Sequence, residues 1–203
     1  MSEDIKNKVK QTFIDSISVK QEILDEESYK VLIEAGDIIA NSISNGGKLL
    51  LCGNGGSAAD AQHLAAEFLI RLTSDLNRES IPALSLAQDT STLTACINDY
   101  GSEYIFKRVF SALSSKGDTL LAITTSGNSK NIIETLKLAK EREIYSIGFL
   151  GNGGGEALEY CDSAFVVPGN ITARIQESHI TAGHALLQYI EDLLLDSGWL
   201  SND

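Results

Sequence analysis

A histidine and a glutamate lie four residues apart in the first third of the chain. His63 and Glu67 would share one face of a helix at this spacing, one turn apart. An imidazole and a carboxylate placed in this way can bind one divalent metal ion together. The alternative is an ordinary polar contact between the two side chains, worth about 0.3 kcal/mol.

A second histidine, His184, lies near the C-terminus on another predicted helix. Gln176 and Glu177 precede it by eight and seven residues, so either could share its face, and spacing alone does not choose between them. One of these side chains and His184, added to the pair on the first helix, would complete a four-coordinate site. We give no ligand role to His179, the remaining histidine.

Three polar turns each follow a short apolar segment: Gly53-Asn-Gly-Gly56, Thr124-Thr-Ser-Gly-Asn-Ser129 and Gly151-Asn-Gly-Gly154. If the apolar segments are parallel strands, all three turns lie at the carboxyl edge of the sheet, where ligands bind in such folds. Backbone N–H groups and hydroxyls without Lys or Arg form a neutral cradle that suits a sugar phosphate. The alternative is plain turn chemistry, because glycine is common in turns.

The first glycine turn matches the dinucleotide-binding fingerprint in form, as Gly53-x-Gly55-x-x-Ala58. That fingerprint also needs an acidic residue at the end of the second strand, and the segment 82–87 contains none. No lysine follows the glycines, as a P-loop requires. The sequence therefore gives little support to a nucleotide-dependent enzyme.

The elements that must position these residues alternate along the chain. Mostly apolar segments of four to six residues predict five strands, at 48–53, 82–86, 119–124, 145–150 and 163–167. Helical periodicity lies between them, at roughly 57–72, 89–97, 102–115 and 129–142. This alternation predicts a doubly wound, five-stranded parallel sheet of the α/β class.

Helical periodicity also extends beyond the sheet at both ends. An N-terminal helical pair is predicted at roughly 2–24 and 27–45, and a long helix at about 171–197 closes the chain. We expect one domain, with residues 1–46 as a helical extension and 47–203 as the α/β core. The N-terminal helices carry apolar faces that a small sheet would not fully cover, which predicts a homo-oligomer. The alternative is that these helices pack on the sheet of their own chain.

Composition narrows the possible partners and the compartment. The 203 residues contain 28 acidic and 16 basic side chains, a formal net charge of −12. Such a charge repels nucleic acid and anionic membranes, so we expect neither as a partner. No apolar run reaches the roughly 18 residues of a membrane span, and three scattered cysteines are typical of a reducing cytoplasm.

The segment Leu51-Cys-Gly-Asn-Gly-Gly-Ser-Ala-Ala-Asp-Ala-Gln-His63-x-x-x-Glu67 resembles the first phosphosugar loop of the sugar isomerase (SIS) domain family. Within it, the chain is similar to the phosphoheptose isomerases, also through Asn98-Asp99-Tyr-Gly, Thr124–Ser129 and Thr172–His179. The resemblance implies an aldose–ketose isomerase that converts sedoheptulose 7-phosphate to D-glycero-D-manno-heptose 7-phosphate. This reaction would supply heptose for lipopolysaccharide of the bacterial envelope or for capsule.

The resemblance also implies roles for single residues. It implies one zinc ion per subunit, bound by His63, Glu67, Gln176 and His184, with Glu67 and His184 as the catalytic pair. The implied substrate contacts are Asn54, Gly55, Gly56, Glu67, Asn98, Asp99, Thr124, Thr125, Ser126, Ser129 and Gln176. It further implies a homotetramer with active sites where chains meet. Ala173 departs from the family pattern, because some members have an acidic residue there.

The rival hypothesis is a non-catalytic phosphosugar-binding SIS protein of the type that associates with the replication initiator. That family shares the Ala-Arg-Ile-Gln-Glu run. It tends to lack a metal-binding side chain where this chain has His184, and to have a bulky arginine where this chain has Ser126. Both positions favour the enzyme.

Overall fold

A computed structural model describes residues 3–87 and 89–201 of the chain. In these residues the helices and strands are, in chain order, α1 Glu3–Asp25, α2 Lys30–Ser44, β1 Leu49–Gly53, α3 Gly56–Leu69, β2 Ala83–Ser85, α4 Thr90–Asp99, α5 Ile105–Leu113, β3 Thr119–Thr124, α6 Lys130–Glu141, β4 Tyr145–Leu150, β5 Ser163–Val166 and α7 Thr172–Asp196. Short 3-10 turns follow α4 and β4. All five strands and the long helices lie within a few residues of their predicted positions.

The strands form one parallel sheet in the order β2-β1-β3-β4-β5. Leu49 of β1 pairs with Ala83 of β2 on one side and with Thr119 of β3 on the other. The chain therefore extends the sheet from β1 to β2 in one direction and from β3 to β5 in the other, so the strand order reverses between β1 and β3. The strands β1 and β3 are wholly buried, which explains their apolar sequences. The predicted doubly wound fold is therefore confirmed, and its switch point lies where the first two polar turns leave the sheet.

Helices cover both faces of the sheet. On one face α2, α3 and α7 enclose a core that includes Ile39, Phe68 and Leu186. On the other face α4, α5 and α6 enclose a second core around Phe106 and Phe110. The two helices that carry the predicted metal ligands, α3 and α7, therefore pack side by side on the same face.

The two N-terminal helices differ in what they bury. Most of the apolar side chains of α2 face α7 and the sheet. On α1 only Ile23 is buried, whereas a stripe of four side chains, Ile5, Val9, Phe13 and Ile17, is 50–68% exposed. The prediction of an uncovered apolar face is thus confirmed for α1. Among the described residues no helix combines the length and the apolar character needed to cross a membrane.

Candidate active site

The first glycine turn joins β1 to α3 at the carboxyl edge of the sheet. Gly55 has a φ of +55°, a conformation that side chains other than glycine rarely adopt. A Cβ at Gly53 would overlap the main chain of Ser57, so the turn also requires glycine there. No side chain caps the N-terminus of α3 among the described hydrogen bonds. The N–H groups of Ser57 and Ala58 donate to the carbonyls of Asn54 and Gly55 within the turn. An anion at this end of α3 is therefore favoured by the helix dipole.

The predicted ligands from α3 and α7 meet beyond this turn. Nε2 of His63 lies 2.9 Å from Nε2 of His184 and 3.4 Å from the carboxylate of Glu67. One ligand atom from each of the three residues falls within 4.8 Å of the others. Two imidazoles and a carboxylate are donors that zinc prefers in proteins, so the set fits such an ion. We call these three residues the His-Glu-His cluster.

The structure distinguishes the two side chains that spacing left open. Nε2 of Gln176 lies 3.3 and 3.4 Å from the carboxylate oxygens of Asp60 on α3, and its amide also packs on Gly56. Glu177 instead faces Ser16 of α1 and forms an ion pair with Arg174 of its own helix. Gln176 is therefore the member of the pair that faces the predicted site.

Asp60 lies beside the cluster, and the sequence analysis did not identify it. Its side chain is buried between α3 and α7, and this burial raises its carboxyl pKa. The hydrogen bond from Gln176 and the charges of the two nearby histidines act in the opposite direction. The signal was present in the sequence, because Asp60, His63 and Glu67 follow an i, i+3, i+7 pattern on one helix face.

The second polar turn brings its hydroxyl groups together, as a phosphate cradle requires. Oγ1 of Thr124 lies 3.0 Å from Oγ of Ser129 and 3.3 Å from Oγ of Ser126. The first turn is tied to this region by two reciprocal amide hydrogen bonds of 2.8 Å between Asn54 and Asn131. The two predicted substrate loops are therefore neighbours, and Asn131 is a further polar residue at this edge that the sequence analysis missed.

The third polar turn follows β4, as predicted, and its contacts go to the second turn. Asn152 donates a 2.9 Å hydrogen bond to the carbonyl of Thr125. A Cβ at Gly155 would lie 2.6 Å from the carbonyl oxygen of Gly127, so the two backbones approach as closely as only glycine allows. These contacts indicate that the third turn supports the second one.

Asn98 and Asp99 lie at the end of α4. The amide of Asn98 donates a 2.7 Å hydrogen bond to the carboxylate of Asp99, and both residues are exposed. Asp99 lines a cleft between α4 and α5 together with Tyr100 and Arg108. No contact described within this chain joins the pair to the His-Glu-His cluster, so their role in binding substrate stays a prediction.

His179 is buried in the core between α7 and β4. Its Nε2 lies 3.1 Å from the carbonyl oxygen of Leu150, and its ring lies beside Phe149, whereas its Nδ1 has no hydrogen-bond partner among the described residues. Burial lowers its pKa from 6.5 to about 4, although the contact with Leu150 opposes this shift. The histidine is therefore neutral in the folded protein at neutral pH and lies apart from the cluster.

This lowered pKa predicts a loss of stability in acid. Between pH 6.5 and 4 the unfolded chain protonates His179 and the folded protein does not, so the free energy of unfolding falls as the pH falls. The full effect is on the order of 3 kcal/mol at pH 4. Denaturant melts of the parent and of His179→Gln would measure it, because glutamine can still donate to Leu150 but does not titrate. Equal pH slopes for the two proteins would contradict the prediction.

The chain is similar to known proteins of one family. Residues 12–151 match the SIS domain family. The phosphoheptose isomerase 2 of Campylobacter jejuni is 46% identical over 198 residues, which cover 97% of this chain and 98% of that protein. The solved phosphoheptose isomerase GmhA from Neisseria gonorrhoeae is 40% identical with a TM-score of 0.85, covering 93% of this chain and 99% of that one. A phosphoheptose isomerase structure from Francisella tularensis gives 33% and 0.86, covering 95% and 100%.

Proposed function

Since the chain belongs to the SIS domain family and, within it, to the phosphoheptose isomerases, we propose that the His-Glu-His cluster is the active site of this enzyme. The protein is an aldose–ketose isomerase that interconverts sedoheptulose 7-phosphate and D-glycero-D-manno-heptose 7-phosphate. The observation that carries the site assignment is the meeting of His63, Glu67 and His184 from two helices beside the switch point of the sheet. The product supplies heptose for bacterial envelope or capsule polysaccharide.

The reaction moves one proton between neighbouring carbons and needs an acid and a base. A base removes a proton from the carbon beside the ketone, which gives an enediol, and a proton is then delivered to the former carbonyl carbon. We assign the carboxylate of Glu67 as the base and the imidazole of His184 as its partner, which exchanges a proton with the substrate oxygens. Both side chains contact the same ring nitrogen of His63, and this proximity of Glu67 and His184 supports the assignment.

Zinc is the cofactor that we propose for this site. His63, Glu67 and His184 would hold it together with Gln176, whose amide faces α3. When bound, the ion would polarise the two substrate oxygens and stabilise the negative charge of the enediolate. Glu67 and His184 then each have two assignments, because a carboxylate or an imidazole nitrogen that donates strongly to zinc is a weaker base.

The neutral cradle at the switch point is the proposed site for the rest of the substrate. The first turn contributes Asn54, Gly55 and Gly56, and the second turn contributes Thr124, Thr125, Ser126 and Ser129. The N-termini of α3 and α6 lie directly after these turns, so their helix dipoles favour the charge of a phosphate. Asn98 and Asp99 complete the proposed set of contacts.

The non-catalytic alternative gains no support from this geometry. A protein that only binds a phosphosugar needs the two turns and has no use for a metal cluster beside them. His184 lies within hydrogen-bond distance of His63, and the hydroxyl of Ser126 lies in the cradle, 3.3 Å from that of Thr124. These positions support the enzyme.

Turnover of the heptose phosphate tests the proposal. Purified protein supplied with zinc and sedoheptulose 7-phosphate is expected to produce the aldose, which proton NMR detects by its anomeric signals. A control with mannose 6-phosphate or another aldohexose phosphate would measure selectivity for chain length. No turnover with any ketose phosphate of five to seven carbons, in the presence of metal, would refute the assignment.

We also propose that the chain acts as a cytoplasmic homotetramer built from one domain per chain. The exposed apolar stripe of Ile5, Val9, Phe13 and Ile17 on α1 supports association, because such a stripe is rare on monomers. Dihedral symmetry is the commonest arrangement for four copies of one chain. Light scattering at micromolar concentration is expected to give about four times 21.8 kDa, whereas a fully active monomer would refute the assembly.

A further inference from the structure

The two helices that carry the cluster are in contact along their length. The amide of Gln176 packs on Gly56 near the start of both helices. Further along, Gly183 packs on Leu64 so closely that an added Cβ would lie 2.6 Å from Cδ1 of the leucine. Because residue numbers rise together in these contacts, α3 and α7 run in the same direction. The cluster lies between the two helices beside this contact, because His63 and His184 are the sequence neighbours of Leu64 and Gly183.

A buried ion pair forms a third contact, beyond the end of α3. The side chain of Arg78 is fully buried and that of Glu191 is 4% exposed, and Nε of the arginine donates to the carboxylate. The same guanidinium donates to the carbonyl of Glu67 at 2.9 Å and to the carbonyl of Phe68 at 3.0 Å. It also donates to the carbonyl of Glu79 at 2.9 Å. A single side chain thus joins the last turn of α3 to α7.

The position of these hydrogen bonds relates them to the cluster. The last carbonyls of a helix lack hydrogen-bond partners within the helix. Arg78 donates to two of these carbonyls on α3, and one of them belongs to Glu67, whose carboxylate is part of the cluster. On α7, Glu191 follows His184 by seven residues, so both lie on the same helix face. The arginine therefore holds the backbone of Glu67 at a fixed distance from the helix that carries His184.

We propose that Arg78 is a positioning residue for the metal site: through Glu191 it sets the distance between α3 and α7 across which the ligands meet. A buried ion pair adds little net stability compared with apolar residues of similar size, so stability alone does not account for it. The planar guanidinium offers fixed donors to several acceptors at once, which a lysine cannot do. This inference rests on the metal site of the proposed function.

The test replaces both members of the pair, as Arg78→Met with Glu191→Met. This double variant leaves no unpaired buried charge and keeps apolar volume at both positions, so it is expected to fold. Competition with a chromophoric chelator, well below the melting temperature, measures the affinity for zinc. We expect the affinity to fall about tenfold, the lower end of the effect of losing groups that orient metal ligands.

A matched control separates positioning from general stability. Lys48 and Asp118 form another partly buried ion pair, 2.6 Å long, which joins the start of β1 to the turn before β3. Lys48→Met removes that ion pair without touching α3 or α7. We expect this variant to melt at a lower temperature and to bind zinc with the affinity of the parent.

A second readout uses the metal-free protein and does not depend on zinc. The contact of 2.9 Å between the ring nitrogens of His63 and His184 requires a shared proton, which imidazole ¹H–¹⁵N NMR detects. We expect the signal of this shared proton in the parent and in Lys48→Met, and we expect the signal to be lost in the double variant. If the parent bound no zinc, the proposed cofactor would fail, and the NMR result would still decide the role of Arg78.

The inference is overturned if the folded double variant keeps both the zinc affinity and the imidazole spectrum of the parent. If the double variant does not fold, Arg78→Lys decides the question. It keeps the buried charge beside Glu191 but cannot also reach the carbonyls of Glu67 and Phe68. Weaker zinc binding by a folded Arg78→Lys protein supports the proposal, and parent affinity refutes it.

Discussion

Glu67→Gln is expected to lower the turnover number by a factor of about 10² or more, the usual scale for the loss of a general base. Glutamine keeps the size of the side chain and its hydrogen bonding, but it cannot accept the proton from carbon. The fold should be unaffected, because the Glu67 side chain is partly exposed and its main-chain carbonyl remains bound to Arg78. Steady-state kinetics with sedoheptulose 7-phosphate, at saturating zinc, measure the effect.

Glu177→Gln is the matched control for this prediction. It makes the same chemical change on the neighbouring helix, at a residue whose spacing from His184 had made it a possible ligand but whose side chain binds Arg174. Its turnover should stay close to that of the parent. Near-parent turnover of Glu67→Gln would instead move the base to another residue, and Asp99 would be the next to test.

The zinc content of Glu67→Gln separates the two assignments of this carboxylate. If the variant keeps its zinc and loses turnover, Glu67 acts mainly as the base. If it loses zinc and turnover together, the carboxylate acts mainly as a ligand. Either result fits the geometry, because the carboxylate lies at 3.4 Å from His63 and is partly accessible to a substrate.

The fold could be predicted from local sequence because its strands are buried on both faces. Strands such as β1 and β3 consist of apolar residues bounded by glycine or polar turns, and no helix pattern of that length competes. The cluster could be predicted partly, since His63 and Glu67 are neighbours on one helix. Their meeting with His184, 121 residues away, required either the family resemblance or the tertiary structure.

The residues that were missed depend on contacts between distant segments. Arg78 lies in a loop without a recognisable motif, and only the packing of α3 against α7 encloses it. Asn131 lies in the first turn of an ordinary helix, and its importance arises from its hydrogen bonds with Asn54 in the first glycine turn. Periodicity reports which face of an element is apolar, but it does not report which polar side chains meet across elements.

The second large effect is expected from removing both imidazoles of the cluster. His63→Ala combined with His184→Ala should lose the zinc that elemental analysis finds in the gently purified parent, near one ion per chain. Turnover should be lost with it, because the remaining ligands are one carboxylate and one amide and His184 is also the proposed acid. Neither histidine is fully buried, so the double variant should fold. Retention of zinc by this variant would show that the metal site is elsewhere.

His179→Gln completes this experiment as its control, because it removes the one histidine of the chain that lies outside the cluster. The imidazole of His179 binds the carbonyl of Leu150 within the core, and glutamine can replace that hydrogen bond. This variant should therefore keep its zinc and its turnover at neutral pH, while its stability in acid changes. Loss of zinc in the double variant, together with its retention in His179→Gln on the same helix as His184, would locate the metal at the face that α7 presents to α3. Loss of zinc in both would instead indicate that disturbing α7 anywhere releases the ion.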